Sequence, residues 1–200
     1  MVGLRIGVLG GTFDPPHVGH LVLAEYGLET LGLSQVLFVP AGDPPHKPGM
    51  TRTAAEHRLA MMRLAIAGEP RFVLSRADSD RPGPHYSVDM LRILHREFPD
   101  AELYFLMGGD SFRDLPRWHT PGELLPLCHF AVMNRCDVEV SPDMHEAIVP
   151  GLAARTIMMD IPLVAASSTE IATRLRTGKT ARYLVPPPVL DYIASHGMYK

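Results

Sequence analysis

The sequence has little of several features that would point to particular classes of protein. Only two of its 200 residues are cysteines, Cys128 and Cys136, and their spacing matches no metal or redox motif. No apolar run approaches the roughly 20 residues of a membrane span. The first residues also lack the basic region and longer apolar stretch of a signal peptide. We therefore expect a protein of the reducing cytoplasm with no membrane partner.

The charge of the chain is also modest. Lysine and arginine together number 19 against 22 acidic residues, a net charge of -3, which gives no reason to expect a nucleic-acid partner. Hydrophobic residues make up 46% of the chain, as in ordinary globular proteins. We expect one domain, residues 1–200, with a helical C-terminal part from about residue 167. Assembly into a homo-oligomer is left open.

Short apolar runs alternate with helical patterns along most of the chain. The predicted strands are Leu4–Leu9, Gln35–Val39, Arg71–Leu74, Glu102–Met107, Phe130–Met133 and Arg155–Met159. The predicted helices are Gly19–Leu31, Ala54–Ala67, Ser87–Glu97, Glu123–Leu127, Thr169–Arg176 and Pro188–Ser195, with a helical turn at His145–Gly151. This alternation predicts an α/β fold, a doubly wound parallel sheet with helices on both faces. Ligands of such sheets bind beyond the carboxyl ends of the strands.

The loop after the first predicted strand reads GGTFDPPHVGH, from Gly10 to His20. It is neither a Walker loop nor a G-x-G-x-x-G dinucleotide fingerprint. Gly10 and Gly11 let the backbone approach another molecule closely, and a helix begins near the two histidines. His17 and His20 could be metal ligands or ordinary loop residues. A phosphate surrounded by imidazole N–H groups and the helix N-terminus is the interpretation we favour.

This loop resembles the HxGH signature of the nucleotidylyltransferase superfamily, with His17, Gly19 and His20 in its places. The resemblance implies a Rossmann-like nucleotidylyltransferase fold. It also implies that ATP contacts a set of residues in the loop, namely Gly10, Gly11, Thr12, Phe13, His17, Gly19 and His20.

Two further loops resemble one branch of that superfamily, the bacterial nicotinate-nucleotide adenylyltransferases. GDPPHKPG carries His46 and Lys47 and is similar to the branch's PPHK stretch. The alternative is a rigid surface loop that carries two solvated side chains. MGGDSFRDLPRWH matches the pattern GxD…LPxW from Gly108 onward. Asp110 either accepts hydrogen bonds from ribose hydroxyls or caps a short helix. Trp118 either stacks on a pyridine ring or packs in the core.

The stretch ASSTEIATRL, from Ala166 to Leu175, resembles the branch's ISSTxIR motif but lacks its arginine, since Ala172 occupies that place. Ser167 with Glu170 predicts a capping box at a helix start. The motif implies that Ser167, Ser168 and Thr169 bind ATP phosphates. Whether Arg174 replaces the missing arginine stays open.

Together these resemblances imply transfer of the adenylyl group of ATP to nicotinate mononucleotide, giving deamido-NAD and pyrophosphate. His17, His20 and Lys47 would be catalytic, and Mg²⁺ would be held mainly by substrate phosphates, with no metal site on the protein. The residues implied in binding nicotinate mononucleotide are Asp14, His46, Lys47, Tyr86, Ser87 and Trp118. Ser87 is the predicted N-cap of a helix. The alternatives are nicotinamide mononucleotide or pantetheine phosphate as the acceptor, or a non-catalytic nucleotide-binding regulator.

Overall fold

The computed structural model describes residues 3–42, 52–134, 140–162 and 164–200. The strands are β1 (Leu4–Gly11), β2 (Gln35–Pro40), β3 (Phe72–Leu74), β4 (Ala101–Gly108), β5 (His129–Asn134) and β6 (Thr156–Asp160). The helices are α1 (Val18–Leu31), α2 (Ala55–Ile66), α3 (Ser87–Glu97), α4 (Gly109–Arg113), α5 (Ser168–Arg176) and α6 (Pro187–Ser195). Single 3₁₀ turns lie at Leu115–Arg117, Pro121–Leu124 and Ala153–Arg155.

The strands form one parallel sheet in the order β3-β2-β1-β4-β5-β6. The strand order reverses direction between β1 and β4, which is where doubly wound sheets bind ligands. Pairing between these two strands ends at Val8 and Phe105, whereas β1 stays paired with β2 as far as Gly11. The sheet therefore opens beside Gly10 and Gly11. The predicted doubly wound parallel sheet is confirmed.

Apolar side chains pack on both faces of the sheet. One cluster includes Val8, Phe105 and Leu91 and lies under α3. The other includes Phe38 and Leu28 and lies under α1. A third cluster joins α2 to the C-terminal helices α5 and α6 through Met61, Ile171, Val189 and Ile193. None of the described helices is both long and apolar enough to cross a membrane.

The predicted elements differ from the structure in three places. The helix predicted at Glu123–Leu127 is replaced by the 3₁₀ turn, because Pro126 lacks the N–H group that a continuing helix needs. His145–Gly151 forms turns and no helix, and it runs into Pro150. The short helix α4 was not predicted, since five residues are too few for an apolar period.

A fully buried arginine ties the loops that follow β1 and β2. Arg58 of α2 donates from Nη1 to the carbonyls of Thr12 at 3.0 Å and Ala41 at 2.6 Å. Its Nη2 donates to Gly42 at 2.8 Å and its Nε to Thr53 at 3.0 Å. These carbonyls compensate a charge that would otherwise be costly to bury. The guanidinium thereby sets the spacing between the two loops.

We predict that Arg58→Met lowers the free energy of unfolding by about 3 kcal/mol or more. Methionine fills most of the space but leaves several buried carbonyls without donors, each costing about 1–3 kcal/mol. Arg63→Met, an exposed position on the same helix, should change it by less than about 0.5 kcal/mol. Urea denaturation followed by circular dichroism measures both values. Equal stability of Arg58→Met and the native protein would show that the guanidinium hydrogen bonds do not hold the loops.

Candidate active site

A cleft of about 510 Å³ lies where the sheet opens between β1 and β4. Its walls come from the loop after β1, the start of α3, the residues after β4 and the segment before α5. Among the lining residues are Gly10, Gly11, Thr12, His17, Gly19, His20, His85, Ser87, Gly108, Ser111, Trp118 and Ala166. The cleft therefore lies at the switch point where the fold is expected to bind a ligand.

A second cavity of about 370 Å³ adjoins the cleft. It is lined by Thr12, Phe13, Asp14, His20, Arg52, Ser168, Thr169, Ala172, Arg176 and Tyr199. Thr12, His20 and Arg52 line both spaces. The histidine loop thus forms the boundary between them, and a ligand long enough to occupy both would pass His20.

The two histidines are held against each other at the start of α1. His17 precedes the helix, and its backbone N–H donates to Nδ1 of His20 at 3.1 Å. The imidazole rings stack with their centroids 3.7 Å apart. A Cβ atom at Gly19 would lie 3.0 Å from Nδ1 of His17, so glycine leaves room for this stacking. The HxGH spacing therefore gives one paired unit of two imidazoles.

This pairing determines the hydrogen-bonding role of His20. Because Nδ1 accepts from the His17 backbone, the proton of the neutral ring is on Nε2. Burial lowers the pKa of His17 from 6.5 to about 4. Burial, and to a smaller extent the neighbouring His17, lower the pKa of His20 well below 6.5. At neutral pH both rings are uncharged, and His20 offers an N–H donor from Nε2.

Phe13 shapes the turn that precedes the histidines. Its φ of 52° is left-handed, an uncommon conformation for a residue with a side chain. The ring is buried, packs edge-on against His20 and lies against Gly11, where a Cβ would approach it to 3.2 Å. The packing of the ring stabilises the strained turn, which faces both cavities.

The start of α5 is joined to the histidine loop. The Ser167 hydroxyl accepts from the Glu170 N–H at 3.2 Å, which confirms Ser167 as the N-cap. Ser168 Oγ donates to the carbonyl of Pro15 at 2.9 Å. Ser168 and Thr169 line the second cavity, and Ser167 lines neither space. The N-terminus of α5 therefore forms one wall of the second cavity.

The structure does not bring Arg174 to either space. Its Nε donates to the carbonyl of Thr180 at 3.0 Å. Arg176 lines the second cavity. Ala172, which lies four residues earlier on the same helix face, lines it too. Its guanidinium lies 5.9 Å from the centre of the Tyr199 ring. Arg176 and Arg52 are thus cationic side chains beside His20 that the sequence motifs did not indicate.

Asp14 is tied to the C-terminal end of the chain. One carboxylate oxygen accepts the hydroxyl proton of Tyr199, and the other accepts from the Thr53 N–H at 3.0 Å. Burial raises the pKa of the Tyr199 hydroxyl, which therefore stays protonated as a donor. Asp14 lines the second cavity and not the cleft. Its role in the described structure is to connect the histidine loop to Tyr199.

The opposite wall of the cleft contains Trp118 and Ser87. Trp118 is half-buried and packs edge-on against Phe105, with ring centroids 5.8 Å apart. The N-cap of α3 is Tyr86 and not the predicted Ser87, which is the first helical residue. Tyr86 stacks on His119 at 4.0 Å between centroids and lines neither space. The Ser87 N–H belongs to the first turn, whose donors have no partner within the helix.

The remaining predicted residues have different outcomes. Gly108 lines the cleft, and Asp110 lies exposed in the first turn of α4. His46 and Lys47 lie outside the described residues, as does Cys136. Sequence reasoning missed Arg58, although it shares the apolar face of α2 with Leu59 and Met62. A charged residue at a position of apolar periodicity is the signal that could have found it.

A family model described as cytidylyltransferase-like matches residues 8–174. The chain is 49% identical over 196 residues to a protein of Thermomicrobium roseum, covering 98% of this chain and 92% of the relative. It is 42% identical over 202 residues to a protein of Dehalococcoides mccartyi, covering 100% of this chain and 98% of the relative. Both relatives bear the name "probable nicotinate-nucleotide adenylyltransferase".

Among solved structures, the chain is similar to a Plasmodium falciparum nicotinic acid mononucleotide adenylyltransferase complexed with NaAD. The TM-score is 0.79 at 20% identity, covering 98% of this chain and 97% of that one, and it shows a shared fold. The matches to the two relatives cover at least 98% of this chain at 42% identity or more, so they show the family as well as the fold. The chain belongs to the nicotinate-nucleotide adenylyltransferase family.

Proposed function

We propose that the protein transfers the adenylyl group of ATP to nicotinate mononucleotide, forming deamido-NAD and releasing pyrophosphate. The observation that carries this proposal is the meeting of two cavities at the His17–His20 pair. A reaction that joins two nucleotides and releases pyrophosphate needs space for three parts. The cleft would hold the two nucleoside groups, and the second cavity would hold the β- and γ-phosphates of ATP.

The chemistry needs no general base. The attacking phosphate monoester has a second pKa near about 6 and is already ionised at neutral pH. One of its oxygens forms a bond to the α-phosphorus of ATP, and the bond from that phosphorus to the bridging oxygen of pyrophosphate breaks. The difficulty is to bring two anions together while charge develops on the leaving group. Positioning and electrostatic stabilisation therefore supply the catalysis.

His20 is placed to stabilise that charge. It lines both spaces and presents the Nε2 proton, since Nδ1 accepts from the protein backbone. An uncharged donor can be buried without a counter-ion, and a phosphate beside it raises the imidazole pKa. We assign His17 and His20 to the ATP phosphates, with His20 nearest the scissile bond. Arg52 and Arg176 would offset charge on the departing pyrophosphate.

A divalent ion is expected with the triphosphate. Within the ranges that the structure covers, no group of three or more His, Cys, Asp or Glu side chains could hold a metal. Asp14 lies nearest the second cavity, but its oxygens accept from Tyr199 and Thr53. We therefore propose that Mg²⁺ is held mainly by phosphate oxygens and water, where it would neutralise phosphate charge. A cytoplasmic location remains a prediction of the sequence, and the oligomeric state stays open.

The native protein should release pyrophosphate from ATP and nicotinate mononucleotide, with deamido-NAD detected by chromatography. The kcat/KM should exceed that for nicotinamide mononucleotide by at least about tenfold, because first-turn N–H groups donate to a carboxylate but oppose the amide's own N–H donors. Trp118→Ala should weaken both mononucleotides by similar factors, since stacking does not distinguish them. Absence of pyrophosphate release with either mononucleotide would contradict the proposed function. Equal use of the two would place the protein among dual-specificity enzymes.

His20→Ala should lower kcat by about 10²-fold or more while changing ATP binding much less. The Nε2 donor is expected to bind most strongly in the transition state, as donors of oxyanion holes do. Steady-state kinetics with ATP binding measured separately by calorimetry separates the two effects. His95→Ala, at an exposed position of α3, is the control. A near-normal kcat for His20→Ala would remove this residue from the mechanism.

Arg176→Ala should raise the KM for ATP by at least about tenfold, which corresponds to one lost charge-assisted hydrogen bond of about 1.5 kcal/mol. Arg174→Ala should change it less than about twofold, because Arg174 bonds the Thr180 carbonyl and faces neither space. The KM for the mononucleotide should stay nearly constant in both variants. The reverse pattern, a large effect at Arg174 and none at Arg176, would show that the second cavity does not receive the phosphates.

A further inference from the structure

The C-terminal end of the chain forms part of the wall of the second cavity. Tyr199, the next-to-last residue, lines this cavity together with Asp14 and Arg176. Its φ of 56° is left-handed, and it shares this uncommon conformation with Phe13, which lines the same cavity. Such a backbone persists only where surrounding contacts hold it, and it is frequent at functional sites. The contacts that hold Tyr199 therefore indicate what the end of the chain does.

The hydroxyl of Tyr199 is anchored to two segments that lie far from it in the chain. It donates to Oδ1 of Asp14 and accepts from Oγ1 of Thr53 at 3.4 Å. The Thr53 N–H donates to the other carboxylate oxygen of Asp14 at 3.0 Å. The Thr53 carbonyl in turn accepts from Nε of Arg58 at 3.0 Å. Tyr199 is thus joined to the same hydrogen-bond network that fixes the loop after β1.

The ring of Tyr199 lies beside the guanidinium of Arg176. The distance from Cζ of Arg176 to the ring centre is 5.9 Å, within the roughly 6 Å at which an aromatic ring attracts a cation. Arg176 is the last residue of α5 and is exposed. Among the residues that the structure describes, none forms a hydrogen bond or an ion pair with this guanidinium. Its N–H donors are therefore available to a ligand in the second cavity, and the ring is the contact that restrains it.

A restrained arginine binds an anion better than a mobile one. An exposed arginine has many rotamers, and it loses this freedom when its guanidinium binds a phosphate. A ring that already confines the guanidinium reduces the loss on binding. The hydroxyl of Tyr199 is not itself available to a phosphate, because its proton goes to Asp14 and it accepts from Thr53. Tyr199 is thus placed to act through Arg176 and not by direct contact with a ligand.

We propose that Tyr199 is a positioning residue for the β- and γ-phosphates of ATP and that it acts through Arg176. The hydroxyl fixes the ring in the cavity wall, and the ring holds the guanidinium where these phosphates bind. Arg176 would contact them in the ground state and the transition state alike, so its position should affect the KM for ATP more than kcat. The proposal rests on the proposed function, because it takes the second cavity as the site of the departing pyrophosphate.

The first test is Tyr199→Leu, which removes both the ring and the hydroxyl. The KM for ATP should rise at least about fivefold, as expected for loss of a cation–π contact. The kcat and the KM for nicotinate mononucleotide should change less than about twofold. Tyr183→Leu is the matched control, because Tyr183 also lies near the C-terminus but is 86% exposed. It should leave all three values unchanged.

A double-mutant cycle shows whether the effect passes through Arg176. In the variant that carries both Tyr199→Leu and Arg176→Ala, the KM for ATP should stay within about twofold of that of Arg176→Ala alone. If the two substitutions instead multiply their effects on the KM, Tyr199 acts independently of Arg176 and the proposal is wrong.

Tyr199→Phe keeps the ring and removes only the hydroxyl, so it tests the proposal even if Tyr199→Leu does not fold. Because the ring loses its anchor, the KM for ATP should rise at least about threefold, though less than in Tyr199→Leu. This rise should also vanish in the Arg176→Ala background. An unchanged KM for ATP in Tyr199→Phe would overturn the proposal.

The outcomes separate this proposal from the proposed function. If the native protein releases no pyrophosphate with either mononucleotide, the proposed function fails and this proposal fails with it. If the native protein turns over ATP and nicotinate mononucleotide, but the Tyr199 variants raise the KM for both substrates equally, the function stands and the proposal is wrong. Such an equal rise would indicate that Tyr199 only supports the structure as a whole.

Discussion

The buried guanidinium of Arg58 is the contact on which the rest of the site depends. It draws the carbonyls of Thr12, Ala41 and Gly42 onto one side chain. Thr12 leads into the turn that presents the two histidines, and Gly42 lies against the ring of His85, which lines the cleft. Two walls of the cleft are therefore positioned by one cation that itself lines neither cavity. Such a residue is costly to bury, and four carbonyl partners make it stable.

The two histidines provide a hydrogen-bond donor beside Arg52 and Arg176 without adding a further fixed positive charge. Permanent cations packed as closely as these rings would repel each other, whereas stacked neutral imidazoles do not. Burial lowers the pKa of both imidazoles, so both rings are uncharged at neutral pH. The two imidazoles are thus buried without the cost of burying a charge. Their electrostatic attraction to an anion would appear only when the anion is bound. A phosphate would then find a donor whose orientation is already set by the backbone of His17.

The parts that sequence reasoning predicted are those encoded locally. Apolar runs predicted all six strands, with each predicted end within two residues of the observed one. The prediction works because buried parallel strands have continuous apolar sequences. The order of residues around His17 and His20 predicted that both lie where a strand loop enters a helix, and the stacking of the two rings was found only in the structure. The tautomer of His20 could not be predicted from the sequence, because it depends on the direction of the His17 backbone N–H.

The parts that were missed depend on contacts between distant segments. The motif did not indicate Arg176, although it lies on the same helix face as Ala172, and the structure shows that Arg176 and not Arg174 lines the cavity. Asp78, Arg81 and His85 lie against one another in a loop with no recognisable motif, and Asp78 and His85 line the cleft. Ser87 was placed at the N-cap by its residue type, but the chain turns one residue earlier at Tyr86. Loop positions in general are set by long-range hydrogen bonds that a local pattern does not contain.

The tie between Asp14 and Tyr199 joins residues 185 positions apart in the chain. During synthesis the ribosome adds Tyr199 long after the loop after β1 has emerged. The strands β1, β2 and β4 can pair before then, but the second cavity cannot include Arg176 and Tyr199 until both residues have been synthesised. Closing so long a loop is slow relative to local pairing. The nascent chain can therefore acquire a folded sheet well before it acquires a complete binding site for phosphates.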